Sequence, residues 1–320
     1  MLEHRLTKVV AFATFVLLLI GGTVNATGSS LACKEPTFVC NGQFFPPLVG
    51  GVLYEHGHRL AAETVGLLQI LLTFLLIRRR PHLTKLAWTL GGLVALQAAL
   101  GATTVAFKLP WYVSTGHFCV ALTYFATLVY TAFRTRPEPS VVELESHDHR
   151  RAELGNARRW IAIALGMVMV QLLLGALVRH LGAALACVGM PTCNIRGAWF
   201  PESAVQRLHM VHRGFGCLVA VVTTIAAIRV FRAARGWASL RTLTLVAPLL
   251  VAAQIVLGIA TVLTLRSPPV AVAHFGGAMG LWVLWISAWF MTAPRRAGIS
   301  VPQARSRSVS PTGRTALVSP

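Results

Sequence analysis

Four histidines carry the first chemical signal in this chain, because they recur as pairs. His58-Arg59 and His212-Arg213 stand 154 residues apart, and His117-Phe118 and His274-Phe275 stand 157 apart. An imidazole inside an apolar segment is costly and usually functional. Two per repeat suit an axial pair on one cofactor iron. Zinc takes four protein ligands, or three and a water. Haem iron takes one or two axial protein ligands, and its porphyrin fills an apolar slot. Haem is therefore the leading cofactor, with His58 and His117 as one pair and His212 and His274 as the other. Haem also needs cations for its propionates. Arg59 and Arg213 directly follow two of the ligand candidates, and Lys108, Arg179, Arg207 and Arg266 fall near the same ends of the apolar stretches. The same side chains could instead snorkel to lipid head groups, and spacing alone does not choose.

The repeats differ at one place. Glu55 stands three residues before His58, whereas His209 stands three before His212. Residues at i and i+3 share a helix face, so Glu55 is expected to point toward whatever His58 binds. A carboxylate there is unnecessary for simple electron transfer but makes sense as a proton donor or acceptor. A glutamate facing lipid head groups is the plain alternative. His209 shares the His212 face and could hydrogen-bond a propionate or compete as a ligand. His56 faces away from His58 and is expected not to ligate.

These residues need a frame, and the repeat extends into it. Leu18 to Cys33 (LLIGGTVNATGSSLAC) realigns with Leu172 to Cys187 (LLLGALVRHLGAALAC), and Gln97-x-x-Leu100-Gly101 with Gln254-x-x-Leu257-Gly258. Of 320 residues, 55% are hydrophobic and only 12% charged, against about 25% charged in soluble domains. A spanning helix needs about 20 apolar residues. Eight stretches qualify, at about 9–27, 56–77, 86–106, 112–133, 160–180, 206–230, 241–264 and 269–291. The first has the look of a signal peptide, but its repeat partner lies mid-chain, so it is expected to stay as a helix. The expected fold is an all-α polytopic membrane protein of eight transmembrane helices, arranged as two duplicated four-helix bundles. The first module covers 1–140 and the second 141–293, with a disordered basic tail over 294–320. Four is an even number, so the halves share one orientation and are related by a parallel pseudo-two-fold axis along the membrane normal. Cofactor sites in such bundles lie between facing helices.

The net charge of +19 is an orientation signal and not a nucleic-acid footprint. Arg78, Arg79, Arg80 and Lys85 share one short loop. Arg134, Arg136, Arg150, Arg151, Arg158 and Arg159 share the central one. Arg232, Arg235 and Arg241 lie between the sixth and seventh stretches, and Arg295, Arg296, Arg305, Arg307 and Arg314 lie in the tail. With Arg5 and Lys8, all fall on one side, which the positive-inside rule makes cytoplasmic, with both termini inside. The partner so implied is the lipid bilayer, with no nucleic acid. The central loop, about 134–159, reads as a linker, with His147 and His149 as solvated residues in it. Four of the six cysteines lie in two outer loops, Cys33 with Cys40 and Cys187 with Cys193. The outer compartment is oxidising, so each pair is expected to close a local disulfide. Zinc would need both loops to meet. Cys119 and Cys217 are expected to be small apolar fillers.

Taken together, Glu55-x-x-His58-Arg59, His117, His212-Arg213, His274, Cys33…Cys40-Asn41-Gly42 and Cys187…Pro191-Thr192-Cys193 make about 10–292 of this chain resemble the haem A synthases of bacterial and mitochondrial membranes. The first outer loop departs from the common pattern, reading Thr37-Phe38-Val39-Cys40 where a Trp-Pro pair often precedes the cysteine. The resemblance implies oxidation of the ring D methyl of haem O to a formyl group, giving haem A for terminal oxidases. Two hydroxylations and loss of water from the geminal diol are the implied course. It further implies a permanent haem b on His212 and His274, the substrate haem on His58 and His117, and Glu55 assisting beside the substrate. The implied partners are a haem O synthase and an electron donor. The transit peptide of mitochondrial members is not seen, which favours a bacterial cytoplasmic membrane. Two rivals stand beside this reading: a di-haem cytochrome b-type electron carrier, and a haem transporter or chaperone.

Overall fold

Continuous apolar runs leave the backbone one local way to satisfy its own polar groups in lipid, the α-helix. In the computed structural model, which describes residues 1–137, 141–194 and 196–294, each expected run forms one. They are α1 (Leu2–Ala26), α2 (Gly50–Arg79), α3 (Thr84–Ala106), α4 (Trp111–Arg134), α6 (Ala157–His180), α7 (Ala204–Ala233), α8 (Ala238–Leu263) and α9 (Pro268–Met291). All eight are long and apolar enough to cross a membrane, which makes this a multi-pass membrane protein. No strand forms among the described residues. α1 begins well before its apolar run and takes in Glu3 and Lys8. The expectation of a disordered tail falls on 295–320, outside the described residues.

Within each half the helices close a ring. α1 packs on α2 and α4, and α3 packs on α2 and α4. In the second half α6 packs on α7 and α9, and α8 packs on α7 and α9. Across the halves, α1 meets α9 while α4 meets α6, and α4 meets α9. Reciprocal contacts of this kind are what a two-fold relation requires. Side chains at matching positions meet each other there. The rings of Phe118 and Phe275 stand 6.0 Å apart, and those of Phe125 and Trp282 stand 6.1 Å apart. Both pairs sit at the 157-residue offset.

The short turns repeat in detail. Lys108 and Leu109 take left-handed φ values of 57° and 64°, and Leu265 and Arg266 take 49° and 66°. Each such residue costs about 1–2 kcal/mol. In return the helix ends close on themselves. Leu109 N donates to Thr104 O at 2.8 Å, and Arg266 N donates to Thr261 O at 2.7 Å.

The central connection corrects the expectation of a plain solvated linker. Val141–Leu154 forms a further helix, α5. His149 is exposed, as expected, but His147 is only 3% exposed. Its Nε2 lies 3.0 Å from Met291 O, and its ring stands edge-on to Trp237 at 5.3 Å. Arg151 and Arg158 both donate to Thr292 O, at 3.2 and 3.1 Å. The last carbonyls of a helix have no intrahelical partner and carry partial negative charge. The linker therefore supplies donors that finish α9. Polarity along 141–154, read as solvation, is in part a set of caps. Replacing His147 with Ala should loosen α5 without disturbing α6. Hydrogen exchange across Val141–Leu154 should quicken about tenfold, given about 1–1.5 kcal/mol for the lost bond, while exchange in Ala157–His180 stays unchanged.

Candidate functional site

Each candidate histidine is seated the same way. It lies in the first three turns of its helix, and its ring rests on a glycine of the helix before it. A Cβ on Gly21 of α1 would stand 3.1 Å from His58 Cε1. On Gly101 of α3 it would stand 3.2 Å from His117 Cε1, on Gly175 of α6 3.2 Å from His212 Cε1, and on Gly258 of α8 3.2 Å from His274 Cε1. Even an alanine there would require the ring to give by a few tenths of an ångström. These glycines lie inside the repeated segments Leu18–Cys33, Leu172–Cys187, Gln97–Gly101 and Gln254–Gly258. The repeats display them, but sequence reasoning gave them no task.

The structure brings each pair together. His117 is an electrostatic neighbour of His58, and His274 of His212. Each of the four rings has a buried Nδ1 without a hydrogen-bond partner. Gln97 Nε2 lies 3.2 Å from His117 Nε2, and Gln171 Nε2 donates to His212 O at 3.1 Å. In the second half a cavity of ≈ 830 Å³ opens between the helices, lined by His212, His274, Gln171, Gln254, Phe275 and Leu281 among others. Ligand cavities run about 300–1,000 Å³. Paired imidazoles, glycine floors and a mainly apolar wall fit a haem. Cys217 lines this cavity and is exposed, so it is not the packed filler that was expected; Cys119 is half-buried.

Outside the histidines, two small loops are fastened by matching devices. Cys33 is disulfide-bonded to Cys40, and Cys187 to Cys193, as expected from their spacing. Cys33 N donates to Glu55 Oε2 at 2.8 Å, while the matching Cys187 N donates to His209 Nδ1 at 3.3 Å. His209 must accept there, so its proton sits on Nε2. Glu55 is 3% exposed, and Arg59 Nη2 donates to its Oε1 at 2.6 Å. Arg59 Nη1 reaches Thr37 O at 2.6 Å and Val39 O at 3.2 Å. Arg213 reaches Cys187 O at 2.6 Å and Gly189 O at 2.8 Å. Both arginines after the histidines are thus committed to loop carbonyls. Glu55 stands in an engaged position between the disulfide and Arg59, not as a free carboxylate. His56 turns away from His58, as expected. It is 2% exposed, lacks a partner at either ring nitrogen, and lies within 4.8 Å of the Cys33 and Cys40 sulfurs.

Residues 49–286, which hold all four histidines and Glu55, match a family model described as "Cytochrome oxidase assembly protein" (COX15-CtaA). The chain is similar to proteins named "Heme A synthase" from several bacteria. Identity is 30% over 274 residues with that of Shouchella clausii, covering 81% of this chain and 86% of that protein. It is 29% over 291 residues with that of Symbiobacterium thermophilum, covering 88% and 93%. With that of Bacillus licheniformis it is 26% over 274 residues, covering 83% and 88%.

The glycine seats make a direct test. Gly175→Val puts a branched Cβ 3.2 Å from His212 Cε1 with two methyls beyond it and should displace the ring. Haem bound per purified chain should drop markedly while the helical signal in circular dichroism stays the same. Haem retained at the unaltered level would show that His212 does not need its seat.

Proposed function

The chain belongs to the haem A synthase family of cytochrome oxidase assembly proteins, and from that premise we propose how its own residues divide the work. It is an oxidoreductase that converts haem O to haem A, so its substrate and product are haems. The ring D methyl becomes a formyl group, R–CH3 + H2O → R–CHO + 4 H⁺ + 4 e⁻, through successive hydroxylations. Four electrons and four protons must leave the site. A haem O synthase supplies the substrate, and a redox partner handles the electrons.

His212 and His274 hold a permanent haem b, and His58 and His117 hold the substrate. The single observation that carries this division is the asymmetry of the two otherwise matching sites: Glu55 and Arg59 form a buried ion pair at 2.6 Å in the first half, where the second has neutral His209. An ionisable group belongs where protons are released. When bound, the haem b supplies one-electron redox chemistry. The protein residues hold, orient and exclude. The glycine seats fix the rings, and the disulfide loops cover the outer end. Glu55, held by Cys33 N–H and Arg59, has a lone pair left on each carboxylate oxygen to take up or pass on a proton. The first module is 1–140 and the second 141–293. The end that carries the basic loops faces the cytoplasm of a bacterial cell, with both termini inside, and the site faces out.

Substitution of His212 or His274 by Ala should abolish the haem b spectrum of the purified protein, since either loss opens the coordination. A spectrum unaltered in both variants would sink the ligand assignment. Glu55→Gln keeps the size of the side chain and one of its two acceptor oxygens but not the charge. It should retain haem b and bind haem O while forming haem A about a hundred- to ten-thousandfold more slowly. Haem extraction and chromatography from an oxidase-bearing host read this directly, and haem A at the unaltered rate would remove the carboxylate from the mechanism.

A further inference from the structure

Two cations stand at the junction of the halves where the repeat does not require them. Arg179 lies near the end of α6 at the position that Asn25 occupies in α1. Arg266 lies in the α8–α9 turn at the position of Leu109 in the α3–α4 turn. The first half forms the same helix end and the same left-handed turn with Asn and Leu. The scaffold therefore does not explain the charges.

Both arginines reach toward the first half. Arg179 Nη2 donates to Gly21 O at 3.2 Å, and its guanidinium lies over the Phe275 ring at 5.3 Å. Arg266 Nη2 donates to Asn25 O at 2.9 Å and to Asn25 Oδ1 at 2.7 Å. They are electrostatic neighbours of each other. Among the described residues neither forms an ion pair with an acidic side chain. Arg179 Nε is buried and has no hydrogen-bond partner. A guanidinium has five N–H donors, and two neighbouring, partly buried cations, one with an unpartnered Nε, favour an anion between them. Both side chains line the cavity that also holds His212 and His274. Arg207 and Arg213 line the same cavity, but Arg213 spends both Nη atoms on carbonyls of the disulfide loop, and Arg59 does not line it.

We propose that Arg179 and Arg266 form a carboxylate-binding site on the wall of the C-terminal cavity, and that it takes a propionate of the tetrapyrrole held between His212 and His274. The inference rests on the haem reading above and adds the group that recognises the acid side chains. The planar fork of arginine matches a carboxylate in bidentate fashion. The position of Arg179, beside both Gly21 and the cavity, makes the site a joint product of the two halves.

The test uses the full-length chain, made under haem limitation and carrying His58→Ala to silence the first pair. It is purified into lipid nanodiscs and titrated with protohaem and with protohaem dimethyl ester, which lacks the charged propionates. The unaltered arginines should favour the free acid by about ten- to a hundredfold, the range for hydrogen bonds to charged groups. Arg179→Gln and Arg266→Gln should each erase most of that preference while leaving ester binding alone. Arg179→Lys should keep part of it, since a point cation remains. His212→Ala should weaken both forms alike, because iron ligation is common to them. Equal affinity for acid and ester in the chain with both arginines overturns the proposal whether or not any variant folds. So does full preference in Arg179→Gln and Arg266→Gln. Undiminished binding of both forms by His212→Ala instead overturns the ligand reading and leaves the carboxylate result standing.

Discussion

Four close approaches, each an imidazole lying on a glycine of the preceding helix, set the geometry of the end of the molecule that holds the disulfide loops. A ring packed 3.1–3.2 Å from the point where a Cβ would begin lets each helix pair approach only because a glycine stands there. That seat decides which way each Nδ1 is buried and which way the rest of the ring projects. It also explains why the helix pairs α1–α2, α3–α4, α6–α7 and α8–α9 share one design despite different sequences.

On that common frame the two halves have drifted apart in charge, and only in a few places. Where Glu55 and Arg59 pair, the second half has His209 accepting one N–H and Arg213 tied to carbonyls. The backbone contact is conserved in kind, Cys33 N in one loop and Cys187 N in the other. Its acceptor changed from an anion to a neutral ring. A buried anion beside a buried cation is weak evidence for stability, and His209 shows that the loop can be held without one. The charge in the first half is thus not needed to hold the loop.

How far this was readable without coordinates depended on the range of the interaction. Helix positions followed from continuous apolar runs, and the disulfides from short loop spacings, because both are local. The histidine pairs were visible because a duplication shows every important position twice. The destinations of Arg59 and Arg213 were not visible. A long side chain beside a ligand candidate can reach a cofactor or a loop with equal ease, and the i to i+3 rule names a face but not which neighbour on that face. His147 was misread for a related reason: its partner, Met291 O, lies 144 residues away, and polar residues look alike whether they face water or cap a helix. The glycines under the rings were in plain view, yet a glycine in an apolar helix has no signature until the residue above it is known.

The meeting of Phe118 with Phe275 and of Phe125 with Trp282 has a consequence for ancestry. Matching residues touch only at an axis, so a half-length forerunner paired as these halves are would meet a second copy of itself on the α4 face. In such a dimer each substitution is made twice. An arginine near the axis would arrive as a pair, and the two arginines of the present junction as four crowded cations. Joined in one chain, the copies are free of that doubling. A single acid on one side and two bases on the other become attainable, and with them two sites of the same build that differ in charge.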